Sequence, residues 1–195
     1  PLNRGFEDLA VDFSILKAKL NAENLVISGG EPTLHKDILG VTEFASKLFK
    51  VSVISNCVKP ETLKQISEHA TIWVSLDFFG ETQDKWRGFK GIWRNYLSIA
   101  DIANVRATLL KDNLNDIEKL VKFTAEHERK ITIVPCKSGN PHLTPTPQQL
   151  QRLLLYIFKS GYAEQAVIDD PCVRMWLATK NPDLMREAKE HGSLC

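Results

Sequence analysis

The chain has 195 residues, of which 43% are apolar and 25% charged, enough to bury a full hydrophobic core and too apolar for a disordered segment. Its 25 basic and 24 acidic side chains leave a formal net charge of +1, which excludes the strongly basic balance of a dedicated nucleic-acid binder. The longest apolar run, Leu153 to Phe158, is far short of the roughly 20 residues that cross a bilayer, and the N-terminus carries no signal-like segment, so no membrane partner is expected. The four cysteines, Cys57, Cys136, Cys172 and Cys195, fit neither a CxxC metal knuckle nor a dense disulfide framework, so reduced thiols and a cytosolic setting are expected. The sequence opens on Pro1 and closes on Cys195, and is read as the interior of a longer protein.

In chain order, the first element is a helix with its apolar stripe on Phe6, Leu9, Phe13, Leu16 and Leu20. A β-branched run, Leu25 to Ser28, follows as the first strand. Ile38, Val41, Phe44, Ala45 and Leu48 then give a second helix with Asp37 as its N-cap. Further strands are expected at Val51 to Ser55, Ile72 to Leu76, Val105 to Leu109 and Ile131 to Val134. A helix carrying Ile117, Leu120, Val121 and Phe123 follows the fourth strand, with Asn115 as its N-cap. Another runs from Gln148 to Lys159, and Pro60 and Pro147 occupy first-turn positions that tolerate a missing N–H. From Gln165 the alternation stops: VIDDP reads as a short strand, and helices are expected around 173–177 and 182–191.

Strand–helix alternation forces parallel strands with right-handed crossovers, and therefore a barrel or an open doubly wound sheet. In TIWVSLD, Ile72, Val74 and Leu76 share one face while Thr71, Trp73, Ser75 and Asp77 share the other, and a barrel gives both faces a role. Polar and flexible residues gather where the strands end: Gly29, Gly30 and Glu31; Asn56 and Cys57; Ser75 and Asp77; Lys111 and Asn113; Cys136 to Ser138. That edge is the candidate site.

LVISGGEPTLHKDI resembles the second strand and following turn of radical S-adenosylmethionine (SAM) enzymes. The resemblance implies that the turn receives the methionine end of SAM: Gly29 and Gly30 permit close backbone approach, Glu31 accepts from the ammonium, and Pro32 stiffens the turn. VSVISNC resembles the third strand, with Asn56 matching and Cys57 replacing the family's usual glycine. IWVSLDFFGETQDKWRGFKG is similar to the fourth strand and loop of members that modify peptides and haem precursors. There Ser75 would meet the SAM ribose or carboxylate, Asp77 would orient the loop or substrate, and Arg87 would pair with the SAM carboxylate. Asp84 and Arg87 equally suit a surface ion pair at i, i+3. VRATLLKDNLNDIEKLVKFTAE resembles the fifth strand and its helix.

The resemblance implies an α/β fold: a partial (β/α)6 TIM-like barrel lacking its first strand here, with residues 1–164 as core and 165–195 as the start of a C-terminal helical extension. It implies an enzyme that reductively cleaves SAM at a [4Fe-4S] cluster and modifies a peptide or tetrapyrrole-type substrate, with ferredoxin or flavodoxin as electron donor. The cluster's CxxxCxxC loop is absent and is expected upstream of Pro1, so the chain alone is expected to be inactive. PCVRMWLATKNPDLMREAKEHGSLC resembles the entry to an auxiliary iron–sulfur extension, which would make Cys195 a cluster ligand. Two other readings stay open on the residues alone. One is a lyase or aldolase barrel acting on a phosphorylated metabolite, for which Lys111 and Lys137 are weak catalytic candidates; the other is a noncatalytic barrel that binds a partner.

Overall fold

A computed structural model describes residues 5–171, 173, 179, 182, 183 and 186. Cys172 and Cys195 lie outside them, as does most of the expected C-terminal helical tail. The elements are α1 (Phe6–Leu20), β1 (Asn24–Ile27), a 3-10 turn (Pro32–Leu34), α2 (Ile38–Ser46), β2 (Lys50–Ser55), α3 (Pro60–Ile66) and β3 (Thr71–Ser75), then the short helices α4 (Thr82–Arg87) and α5 (Ile92–Leu97). They continue as β4 (Ala103–Leu109), α6 (Leu114–Glu126), β5 (Ile131–Pro135), α7 (Pro147–Lys159) and β6 (Ala166–Ile168). The six strands follow one another in the sheet in the order of the sequence, and the sheet is not closed. A doubly wound sheet reverses direction at a switch point; sequential order is the winding of a barrel, here a partial one. No helix of the described residues is long and apolar enough to cross a membrane.

The chain divides into two compact units, residues 1–75 with 94–103 and residues 76–93 with 104–195. In the first, β1 pairs parallel with β2 (Leu25 opposite Val51, Ile27 opposite Val53), and β2 with β3 (Val53 opposite Ile72). Val51, Val53, Ile72 and Val74 are buried with Val41, Ala45, Leu63 and Ile66 from the helices, which is the alternation a half-covered strand requires. Phe6 packs edge-on to Phe44 and Phe13 to Phe49, fixing α1 on α2 and the residue that leads into β2.

The α1 stripe is less buried than its periodicity implies. Phe13 is the one buried residue of this helix, and Leu16 and Leu20 are 37% and 68% exposed. The physical reason is that β1 is an edge strand with Val26 58% exposed, and a cavity of about 550 Å³ lined by Leu9, Phe13, Val26, Pro32 and Ile38 opens between it and α1.

In the second unit β4 pairs parallel with β5 (Ala107 opposite Ile133), and β5 with β6 (Ile133 opposite Ile168). Helix α7 starts with a capping box: Thr146 Oγ1 accepts from Gln149 N–H, and the Gln149 side chain accepts from Thr146 N–H. Arg152 on α7 donates to both carboxylate oxygens of Glu118 on α6 and to Asn115 Oδ1. The cap of α6 differs from expectation, because Asn113 occupies the N-cap position and Asn115 lies inside the first turn. The Asn113 side chain is drawn away from the helix N–H groups. Its Oδ1 accepts from Leu110 N–H at 2.7 Å, while its Nδ2 donates to the carbonyls of Asp77 at 2.7 Å and Thr108 at 2.9 Å.

Asn113 is fully buried, so Asn113→Ala strands one N–H and two carbonyls away from water. The expected cost is about 2–4 kcal/mol, read as a lower urea midpoint at unchanged slope; a variant within about 0.5 kcal/mol of the parent would contradict this role.

Candidate functional site

The turn after β1 is built by backbone conformation. Gly29 has φ +95° and Gly30 φ +51°, both in the left-handed region that other residues adopt at a cost of about 1–2 kcal/mol. Nothing lies within 4 Å of where a Cβ would stand on either, so the glycines are required by their dihedrals, and the space beside them is open. Pro32 is buried at the first position of the 3-10 turn that follows.

Glu31 closes this turn against the next strand. Its Oε1 accepts from Thr33 N–H at 3.1 Å, Thr33 Oγ1 at 2.7 Å and Ser55 Oγ at 2.7 Å, and its Oε2 accepts from Asn56 N–H at 2.6 Å. Bonds of this kind to a charged acceptor are worth about 1.5–3 kcal/mol each. Thr33 and Ser55, buried at 2% exposure, were not singled out in the sequence; their position directly beside the Gly-Gly-Glu-Pro and Ser-Asn stretches was the available signal. The resemblance gives the Glu31 carboxylate to a ligand ammonium, whereas the structure commits Oε1 to the protein three times and Oε2 once. A carboxylate oxygen has two lone pairs, so Oε2 is the atom with acceptor capacity left.

Asn56 is half-buried, with its amide on Glu31, and Ser75 is half-buried as the last residue of β3. Cys57, where the family commonly has glycine, has φ +62° and is completely buried. Its N–H donates to Ser55 Oγ at 3.0 Å and its carbonyl accepts from Asn95 Nδ2 at 2.9 Å. Burial, and secondarily the negative charge of Glu31, push the Cys57 thiol up to about 12.

The loop that follows β3 belongs to the second unit and is organised by Asp77, which is 4% exposed. Its Oδ2 accepts from Arg87 Nη2 at 2.7 Å and Trp86 Nε1 at 3.2 Å, and its Oδ1 from Thr108 N–H at 2.8 Å. Fully buried Gln83 accepts from the amides of Asp77 and Phe78. The alternative Asp84–Arg87 ion pair does not form. The Asp84 carboxylate instead accepts from Gly91 and Trp93 N–H groups, which have no helical partners at the start of α5 and draw it away. The Arg87 guanidinium, assigned by the resemblance to the SAM carboxylate, is held on Asp77; its Nε is buried with no partner among the described residues.

Of the two iron–sulfur assignments, the one to Cys195 lies outside the described residues. The sequence contains no CxxxCxxC spacing, and the described residues contain no group of three His, Cys, Asp or Glu able to hold a metal. The described residues therefore do not fit the catalytic cluster. They do fit SAM: a glycine turn with open space beside it, and a carboxylate oxygen with a lone pair left for an ammonium.

No family model matches the chain. An Fe-coproporphyrin III synthase of Methanosarcina barkeri (strain Fusaro / DSM 804) is 29% identical over 123 residues, which is 57% of this chain and 31% of that protein. The chain thus spans about a third of the length of this curated relative. Among solved structures, native anSMEcpe with bound AdoMet superposes with a TM-score of 0.61 at 16% identity, covering 81% of this chain and 51% of that one. TYW1 with a lysine-pyruvate adduct bound gives 0.55 at 20% identity, covering 78% and 61%. The structural likenesses show the fold, an α/β arrangement around a parallel sheet that this chain shares with those two proteins.

Two outcomes follow from this geometry. Glu31→Gln replaces one acceptor oxygen by an NH2 that faces donors, and is expected to destabilise the chain by about 1.5–3 kcal/mol, measured by urea unfolding; unchanged stability would remove Glu31 from its tying role. Cys57 is expected to resist iodoacetamide at pH 8 in the native state and react only on unfolding, as mapped by peptide mass spectrometry. Because its folded pKa is raised, the unfolded thiol ionises first, and stability should fall by up to about 1.4 kcal/mol per pH unit from pH 9 towards 12.

Proposed function

We propose that this chain is a radical SAM core and the SAM-binding part of an enzyme that modifies a peptide or a tetrapyrrole-type substrate. The observation that carries the reading is the Gly29–Gly30 turn, left-handed at both residues and open on the side a Cβ would occupy, with Glu31 immediately after it. When bound, SAM supplies the radical hydrogen-abstraction chemistry of the family. The chain's own residues supply binding and orientation. The glycine backbone approaches the methionine end, and Glu31 Oε2, which keeps a lone pair, accepts from its ammonium. Thr33, Ser55 and the Asn56 amide hold that carboxylate in place, so little reorganisation accompanies binding.

Ser75, at the end of β3 in the same unit, is proposed for the ribose or carboxylate, and the Asn56 side chain for a neighbouring polar contact. Asp77 and Arg87 are proposed as the frame of the loop after β3, because the guanidinium and the carboxylate are already paired at 2.7 Å. The Fe-coproporphyrin III synthase supports a tetrapyrrole-type substrate, and a structure of anSMEcpe with AdoMet and the Kp18Cys peptide, superposing at a TM-score of 0.60 and 16% identity, leaves a peptide in play. The whole enzyme would also require a one-electron donor such as ferredoxin or flavodoxin.

Calorimetric titration of the chain with SAM tests the reading. Saturable binding is expected, weakened about tenfold or more by Gly30→Val, since a β-branched residue resists the left-handed turn, and likewise by Glu31→Gln, one charged hydrogen bond being worth that much. No saturable binding by the parent chain, or affinity equal to the parent's in both variants, would overturn it.

A further inference from the structure

Among the described residues of the second unit, the half-buried lysine and arginine side chains are Arg87, Arg106 and Arg129. Arg87 meets the Asp77 carboxylate at 2.7 Å, and Arg129 Nε donates to the His127 carbonyl at 3.3 Å. Arg106 differs from both. Its guanidinium makes no hydrogen bond, ion pair or ring contact among the described residues. A charge drawn partly out of water costs free energy unless something pairs with it, so one left open marks a place for a counter-charge.

The strand register shows what stands beside it. Along β4, Val105, Ala107 and Leu109 are buried with Ile131 and Ile133 of β5 and with Ile117, Leu120 and Val121 of α6, which leaves Asn104, Arg106 and Thr108 on the opposite face. Arg106 lies opposite Thr132 of β5, Thr132 opposite Val167 of β6, and Thr108 opposite Val134. Arg106 is therefore the one charged residue on this face of β4, β5 and β6. Asn104 is already committed, its Oδ1 accepting from Lys130 N–H at 2.9 Å. Asp77, which reaches Thr108 N–H with Oδ1, spends Oδ2 on Arg87 and Trp86, so its charge is balanced elsewhere.

An open guanidinium beside two half-buried threonines has a definite complement. Its parallel N–H groups match the two oxygens of a carboxylate, and a threonine hydroxyl can donate to a lone pair that the fork leaves over. One cation balances one carboxylate, whereas a phosphate monoester, with a charge of about −1.5 to −2, would stay partly uncompensated. Val134 and Val167, the apolar residues of the same face, offer no competing acceptor.

We infer that Arg106, with Thr132 and Thr108 beside it on the sheet, binds the carboxylate of a ligand other than SAM. None of the groups proposed above to touch SAM is used here. The probe is sodium acetate, titrated into isotope-labelled chain at an ionic strength held constant with chloride, and the arginine Nε–H resonances are followed by NMR. Loss of a signal in Arg106→Met identifies the Arg106 resonance. A saturable displacement of that resonance is expected, with no comparable change at Arg129. Thr132→Val and Thr108→Val keep the side-chain shape and remove one hydroxyl each; at least one should raise the acetate dissociation constant about fivefold. Inorganic phosphate at the same ionic strength should bind less tightly. Arg106→Met should keep or raise the urea midpoint, because an unpaired charge gives way to an apolar chain. Displacement that grows linearly without saturating, an unchanged constant in both threonine variants, tighter binding of phosphate, or a lowered urea midpoint in Arg106→Met without acetate would overturn the inference. SAM carries a carboxylate of its own, so it is added last to the acetate-saturated chain. The Arg106 resonance should stay where it is, and displacement of acetate by SAM would also overturn the inference. Absence of SAM binding in the calorimetric titration overturns the cofactor reading alone and leaves this site standing.

Discussion

A parallel strand that ends in a loop leaves backbone N–H groups with no partner in the ladder, and each must find an acceptor or stay wet. Among the described residues, two of the carboxylates that meet that demand are Glu31 and Asp77. Glu31 accepts from the amides of Thr33 and Asn56, and Asp77 accepts from the amide of Thr108. An ionised carboxylate offers about four acceptor positions on two atoms, more than any neutral side chain, and its bonds to N–H groups are roughly twice as strong as neutral ones. The loops that carry the candidate chemistry are therefore anchored by single residues, within each unit, at the strand ends.

The same two residues set what the loops can present. Because Glu31 is pinned by Ser55 and Thr33 hydroxyls, the preceding glycine turn is fixed on its far side, and a ligand meets a backbone already shaped. Because Asp77 takes the indole N–H of Trp86 and the guanidinium of Arg87, it removes the polar atoms that would otherwise keep those side chains hydrated. What remains exposed on α4 is Thr82, Lys85 and the hydrocarbon of Trp86.

How far this was legible in the sequence depended on the distance between partners. Strand positions came out within a residue or two at their starts, as with Leu25 to Ser28 against Asn24–Ile27 and Ile131 to Val134 against Ile131–Pro135, because alternation and β-branching are local. The glycine turn was legible for the same reason. The α6 cap was misplaced by two residues because Asn113 is drawn into bonds to Asp77 and Thr108, and the former lies 36 positions away. Helical spacing pairs Arg87 with Asp84, whereas the carboxylate it meets, Asp77, is ten positions away across the turn. Burial of the α1 stripe was overestimated because periodicity reports which face is apolar and says nothing of how much partner surface covers it.

Cys57 shows how such an anchor tolerates a residue that local rules disfavour. A left-handed φ of +62° costs a side chain about 1–2 kcal/mol relative to glycine. Three interactions oppose that strain. The thiol is wholly buried, Ser55 Oγ accepts from the Cys57 amide while donating to Glu31, and Asn95 reaches the carbonyl. Burial of a small apolar side chain and two hydrogen bonds at about 1 kcal/mol each outweigh a cost of that size. The hydroxyl of Ser55 is the link, since its proton goes to Glu31 and its lone pair takes the Cys57 N–H, and loss of either contact frees the other to rotate. The conformation of Cys57 and the position of the Glu31 carboxylate are thus coupled through one oxygen atom, and a change at the buried thiol reaches the glycine turn without touching it.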